Sequence, residues 1–438
     1  MIRENTRKPL LFAAMALLLI IVGIFQSWNL AFAVLNLCLI SAIMTLGVNI
    51  QWGYAGLVNF GMMGFTALGG ISAVLISMPP VHDAIAAGGS SITVAMLVGI
   101  VTIVAAAFAW RKLANGGRKR VLVTGAILLI GAVCYRLIFD PAVAAIEAVE
   151  PAKTGYLGGL GLPILLSWIF GALVAAGVAW MIGKVALGLR SDYLAIATLG
   201  ISEIIIYVLK NEDWLSRGVK NVNGLPRPVP YEVDLQQAEW FINLSARLGI
   251  DVTEASTLMV KGCYALIFVV ILAAIYWFAE TALKSPWGRK MRAIRDNEVS
   301  ANAMGKNVTA SHLQVFVIGS ALVGLAGAML TTLDGQFTPA SYLPLRFTFL
   351  IWVMVIVGGS GNNAGAILGG FVIWFFWIEA EPIGLWMISM LTAGLADDSA
   401  LKIQLIKNAA QTRLITMGLV LLLVLRFAPR GLIPETKR

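Results

Sequence analysis

The sequence predicts an all-α polytopic membrane protein of about 10–12 transmembrane helices. Three observations lead there. Of 438 residues, 59% are hydrophobic and only 13% charged, whereas soluble chains carry about 45–50% apolar and about 25% charged residues. The roughly 260 apolar residues this represents supply on the order of twelve spans at about 20 residues each. Those residues also fall in long runs separated by short polar linkers, with little left for a soluble domain. Soluble enzymes, nucleic-acid binders, disulfide scaffolds and coiled coils are excluded at this step. The net charge of +9, which would point to nucleic acid in a soluble chain, is here a matter of loop placement. Cys38, Cys134 and Cys263 sit singly in apolar runs, and His82 and His312 are the only histidines. Neither set has metal-ligand or disulfide spacing, so no metal site or cofactor is expected.

Apolar segments occur at 10–26, 31–50, 62–78, 92–110, 121–139, 162–182, 193–209, 260–280, 313–333, 346–357, 364–379 and 412–427. The first follows Arg3, Arg7 and Lys8 and lacks a small-residue cleavage site, which reads as a retained helix rather than a signal peptide. Segments 346–357 and 364–379 are short for full crossings.

Loop charges set the direction. With the amino terminus inside, linker 111–120 is inside and carries Arg111, Lys112, Arg118, Lys119 and Arg120 with no acid. Linker 284–312 is also inside and strongly basic, and the carboxyl terminus returns inside with Arg426, Arg430, Lys437 and Arg438. The loops left outside, 140–161, 210–258 and 380–411, hold most of the loop acids, among them Asp140, Glu147 and Glu150. Independent loops thus agree on one alternation with both termini cytoplasmic, as the positive-inside rule requires.

Two glycine-rich stretches interrupt the spans. Gly53-Tyr54-Ala55-Gly56-Leu57-Val58-Asn59-Phe60-Gly61 lies between the second and third segments. Non-helical backbone at membrane depth is tolerated only where protein or a water-filled cavity covers it, and such breaks mark transport pathways. Tyr54, Asn59 and Gly61 are therefore candidate pathway residues, against the alternative that the glycines only let helices approach closely. The second stretch, Gly358-Gly359-Ser360-Gly361-Asn362-Asn363, falls where the alternation requires a cytoplasmic turn.

The long inside loop carries the most pattern. Ser285 suits a helix N-cap and Pro286 the first helical position. Trp287, Met291 and Ile294 form one apolar stripe, with Arg289, Lys290, Arg292 and Arg295 on the remaining surface. A second short helix is expected from Glu298 to Met304, stopped by Gly305, after which Thr309 caps the next span. Such a pair fits either a docking element or an amphipathic loop on anionic headgroups.

At this point the residues match a family. Ser285-Pro286-Trp287-Gly288-Arg289, Arg292-Ala293-Ile294-Arg295-Asp296-Asn297-Glu298 and Ala301-Asn302-Ala303-Met304-Gly305 closely resemble the cytoplasmic coupling loop of branched-chain amino-acid ABC permeases. The first glycine-rich stretch resembles that family's early motif, and 189–200, from Leu189 to Gly200, its mid-chain signature. Pro339-Ala340-Ser341-Tyr342 with Val357-Gly358-Gly359-Ser360-Gly361-Asn362 is similar to the late motif, and 426–433 to the usual ending. The resemblance implies the larger membrane subunit of an importer in the bacterial inner membrane. It implies that Trp287, Arg289, Arg292, Arg295, Glu298, Ala301, Met304 and Gly305 couple to an ATPase. Implied partners are two ATP-binding subunits, a second homologous permease and a periplasmic substrate-binding protein. The implied cargo is a branched-chain or other apolar amino acid, or urea and short amides as in close relatives. Asn59 and Gly61-Met62 stand where family members commonly have Ser and Gly-His, and 92–139 looks like a two-helix insertion with a basic linker.

Other signals are weaker. Gly359-Ser360-Gly361-Asn362-Asn363-Ala364 fits a dinucleotide fingerprint but lacks the strand and βαβ context that motif needs. No GxxxxGK[ST] phosphate loop occurs, so an ATPase would be a separate chain. No cluster has catalytic spacing, and no enzyme activity or catalytic residue is expected. Glu203 lies near the middle of segment 193–209, where buried carboxylates are costly and usually face the bundle interior. It is included as a pathway residue, since a proton-coupled secondary carrier, the alternative in a different class, would use such a group as its relay.

Overall fold

A computed structural model describes residues 4–113, 117–151, 153–394 and 399–435. Arg3, Lys437 and Arg438, among the charges behind the expected orientation, lie outside the described residues, as do 114–116 of the basic linker. The chain is an all-α polytopic membrane protein. Its long helices are α1 (Glu4–Phe25), α2 (Trp28–Val48, continued by the π-helical turn Asn49–Gly53), α3 (Met62–Ser77), α4 (Ser90–Lys112), α5 (Arg118–Glu147), α6 (Ile164–Ala186), α7 (Ser191–Asn211) and α8 (Val252–Lys284). After two short helices, α9 (Pro286–Asp296) and α10 (Glu298–Ala303), come α11 (Val308–Asp334), α12 (Pro344–Gly358), α13 (Asn363–Leu391) and α14 (Thr412–Phe427). Every predicted apolar segment lies on one of these helices, and among the described residues ten are long and apolar enough to span a bilayer.

The bundle is built around α2, which is apolar on all sides and buried along most of its length, as a helix without a polar face must be. It packs against α8, α11, α12 and α13, while α3, α6 and α11 cross tightly beside it. Small residues permit that crossing. A Cβ on Gly69 would stand 1.8 Å from the Gly324 carbonyl oxygen, and one on Gly327 2.0 Å from that of Thr66. Helices α4 and α5 form a separate hairpin packed on itself, tied to the remainder near 81–92 and 139–149.

The connections sort to two ends. At one, Asn362 donates through Nδ2 to the Pro434 carbonyl at 3.1 Å and the Gly361 N–H donates to Oδ1 of Asn49 at 2.9 Å. At the other, β1 (Val222–Asn223) pairs antiparallel with β2 (Gln336–Phe337), Val222 opposite Phe337, and Pro80 bridges to Gly158. The same alternation follows from the charge count, so the basic linkers and the acidic loops lie at opposite ends.

Three expectations need correction. Segment 364–379 is not a short crossing but the first half of the 29-residue α13, which runs through Pro382 to Leu391. Proline cannot donate to the carbonyl four residues earlier, here that of Ile378, yet the helix continues, with the Thr412 hydroxyl 3.0 Å from the neighbouring Ala380 carbonyl oxygen. The loop 210–258 is largely folded, with helices Glu232–Gln237 and Glu239–Leu248, and α8 already begins at Val252 because Asp251 accepts from the N–H groups of Thr253 and Glu254. The cap of α11 is Asn307, whose side chain accepts from the Ala310 N–H, rather than Thr309.

Candidate functional site

The two short helices α9 and α10 form as their sequence dictates. The Ser285 hydroxyl accepts from the Trp287 N–H at 3.2 Å, Asn297 caps α10 through the Ser300 N–H at 2.9 Å, and Gly305 takes a φ of +74° that ends it. Met291 and Ile294 are fully buried against the bundle. The coupling-loop residues divide into two sets. Trp287 donates to Gln314 at 3.1 Å, Arg292 to the Leu283 carbonyl at 3.3 Å, and Ala301 packs with Ile294 and Val308. These hold the loop to the bundle. Arg289, Glu298, Met304 and Gly305 are exposed, and beside them Val299 and Met304 stand 81% and 79% exposed. Large apolar side chains bared among charges at one end of a molecule are what a docking surface offers.

Arg295 connects this loop to the first glycine-rich stretch. Its Nη1 donates to the carbonyl of Gly53, the last residue of the π-helical turn, and its guanidinium pairs with Glu435 at 3.1 Å. A Cβ on Gly53 would lie 2.2 Å from Oδ1 of Asn49 and 2.6 Å from the Gly361 nitrogen, so only glycine fits. Asn49 donates to Asn363 at 3.0 Å, and Asn363 donates to Glu280 at 3.1 Å. One polar chain thereby ties α2, α8, α9, α13 and the carboxyl-terminal segment together.

Beyond Ala55 the backbone leaves the helix until α3 begins after Gly61. Asn59 is fully buried; it donates to Oε1 of Gln51 at 3.0 Å and accepts from the Gly61 N–H at 2.8 Å. Its own carbonyl accepts from the Trp352 indole at 3.0 Å. The freed N–H groups of Phe60 and Gly64 donate to Thr198 and Ser202 on α7 at 3.0 and 2.8 Å. Tyr54 is buried, which pushes its phenol up and keeps it neutral. Trp352 packs against Trp52 and Phe60 with ring centroids 4.9 and 5.0 Å apart.

A cavity of about 230 Å³ lies beside this aromatic cluster. Leu37, Ile40, Ser41 and Met44 of α2 line it, with Met63, Thr66, Leu330, Leu350, Ile351, Met354 and Trp374. Asp334, Ser341, Tyr342 and Phe347 complete it; Asp334 and Ser341 are exposed and mark its mouth, while Met44, Met63, Thr66 and Met354 are buried at its floor. The mouth therefore opens at the end away from the coupling loop, and the Trp52–Trp352–Phe60 cluster adjoins the wall, Trp352 standing between lining residues Ile351 and Met354 on α12. Tyr342 shares a 2.9 Å hydrogen bond with Thr331, and burial pushes its phenol up.

Asn59 and Gly61 thus meet in one knot with Gln51 and Trp352, next to the cavity rather than on its wall. Glu203 is not brought to them. It is exposed on the outer face of α7, turned away from the bundle, because Ser202 and Ile206 occupy the buried face. The wall residues Ser41, Thr66, Asp334 and Trp374 escaped the sequence reading. Asp334 carried a signal nonetheless, as the acid that closes the apolar segment 313–333, and Ser341 and Tyr342 lay within the late motif.

Residues 125–425 match the family described as the branched-chain amino acid transport system permease component. The chain is 24% identical over 296 residues to the high-affinity branched-chain amino acid transport system permease protein LivM of Salmonella typhimurium, covering 67% of this chain and 62% of that protein's length. It is 25% identical over 409 residues to the probable branched-chain amino acid transport permease protein LivM of Methanocaldococcus jannaschii, covering 90% of each. The permease protein LivH of Salmonella typhimurium matches at 24% over 213 residues, 48% of this chain and 63% of its own length. No solved structure matches. With a match across that length, on a polytopic helical bundle, the chain belongs to the branched-chain amino acid transport permease family.

Proposed function

We propose that this chain is the membrane-spanning subunit of an ATP-driven importer for branched-chain or other apolar amino acids in the bacterial inner membrane. A periplasmic binding protein delivers the cargo, a second homologous permease completes the passage, and two ATP-binding subunits dock on the α9–α10 pair. The observation that carries this reading is the Arg295 linkage: a loop with an exposed apolar tip is bonded to the Gly53 backbone, next to an aromatic cluster that adjoins a cavity open at the opposite end. The basic end is cytoplasmic by the positive-inside rule, so the cavity faces the periplasm. Closure of the ATP-binding subunits would move α9, and with it Gly53 and the Trp52–Trp352 pair beside the cavity. An interior lined mostly by apolar side chains with a few polar groups suits a small amphipathic cargo. The relatives LivM and LivH, named for branched-chain amino acid transport, support the same cargo and a paired permease. The test is copurification and reconstitution: the reading requires that uptake depend on an ATPase partner. Substrate-dependent uptake by the purified single chain in liposomes would overturn it.

A further inference from the structure

We propose that Asp334 is the acceptor for the cargo's ammonium group, which makes this cavity a site for zwitterions and amines with a branched aliphatic body rather than for neutral amides. The proposal rests on the importer reading for its setting and on the cavity for its chemistry. Asp334 is the one carboxylate among the residues that line the cavity, and it makes no hydrogen bond or ion pair among the described residues. The guanidinium of Arg227, which lies beside Gly335, is committed to Glu232 through Nη1 at 3.2 and 2.8 Å. Standing exposed at the mouth of an otherwise apolar cavity, that carboxylate is the one negative charge a cation meets on entering. A compact ammonium supplies the opposite charge with three donors, and attraction between the two strengthens as the cavity excludes water. A metal ion does not fit, because no group of three or more His, Cys, Asp or Glu side chains converges anywhere among the described residues.

The remainder of the ligand follows from the lining. Ile40, Leu330, Leu350 and Ile351 offer an aliphatic surface to a branched side chain. Trp374 lines the same cavity, its indole N–H buried without a hydrogen-bond partner. The volume of about 230 Å³ is many times the roughly 10–15 Å³ that one water needs, room for a molecule of amino-acid size. Urea would fill neither the aliphatic wall nor the charge requirement.

The experiment measures binding to the full chain in nanodiscs by saturation-transfer NMR, with four probes of one shape. These are L-leucine, 3-methylbutylamine, which lacks the carboxylate, 4-methylpentanoate, which lacks the ammonium, and the neutral 4-methylpentanamide. We expect leucine and the amine to bind the native chain, and Asp334→Asn to weaken both at least tenfold while Asp334→Glu retains binding. Equal amine binding by native chain and Asp334→Asn, stronger binding of the amide than of the amine, or no binding of leucine and amine to the native chain would each overturn the proposal. Melting temperature shows whether Asp334→Asn remains folded; should it not, Ile351→Trp, which fills the wall and leaves the carboxylate, must abolish amine binding, and retained binding overturns the site. The importer reading fails separately, if uptake proves independent of ATP while the amine still binds at Asp334.

Discussion

Replacing Arg295 with alanine should disconnect ATP hydrolysis from transport. Its guanidinium makes a charge-assisted hydrogen bond to the Gly53 carbonyl and an ion pair with Glu435 at 3.1 Å, in which the two side chains are 24% and 31% exposed. A hydrogen bond to a charged donor contributes about 1.5–3 kcal/mol, and a partly exposed ion pair about 0.2–1 kcal/mol. The link between α9 and the end of α2 is then on the order of 2–4 kcal/mol, since two adjacent contacts of one side chain need not add in full. At about 1.4 kcal/mol per tenfold, its loss corresponds to a reduction in coupling of at least roughly thirtyfold. The assay is paired measurement of ATP hydrolysis and amino-acid uptake by the assembled transporter in proteoliposomes. Arg295→Ala should hydrolyse ATP within about twofold of the native rate and lose most uptake per ATP. Glu435→Gln, which removes only the ion pair, should lower uptake less than fivefold, and adding it to Arg295→Ala should change nothing further. Arg295→Lys keeps the charge but not the fork, and should fall between. Native uptake per ATP in Arg295→Ala, with the complex intact, would refute the reasoning.

Two further outcomes follow from the same geometry. Val299→Ala combined with Met304→Ala removes the exposed apolar tip of the loop without touching the Met291–Ile294 packing, and should weaken ATPase association at least tenfold in a pull-down while leaving the melting temperature within a few degrees. Asn59→Leu strands the Gly61 N–H and Oε1 of Gln51 in a buried site, at about 1–3 kcal/mol each; we expect reduced thermal stability and reduced uptake, and normal uptake at normal expression would show that the glycines there serve packing alone.

Much of this architecture was legible because bilayer length and loop charge act on the sequence locally. The apolar segments, the alternation of ends and the caps at Ser285 and Gly305 required only residues within a turn or two of one another. The extension of α13 was not legible, because Glu379, Glu381 and Pro382 read as a boundary. In the folded chain Gln26 donates to Glu379 at 2.7 Å and Arg413 pairs with Glu381, partners remote in sequence. The orientation of Glu203 was not legible for a related reason: α7 places Ser202 inward and Glu203 outward, and a lone carboxylate in an apolar run does not say which. Arg295 was recognised as part of the loop, yet its bond to Gly53 spans 242 residues and no local pattern announces it. The cavity is less legible still, since its wall gathers residues from five helices and the link between α11 and α12.

The central claim is tested most directly by uptake of labelled leucine, isoleucine and valine into cells lacking this chain and into the same cells after its restoration. The account predicts that uptake is lost with the chain, returns with it, fails when ATP is depleted and persists when a protonophore collapses the proton gradient. Restored uptake that follows the proton gradient with ATP depleted would contradict it.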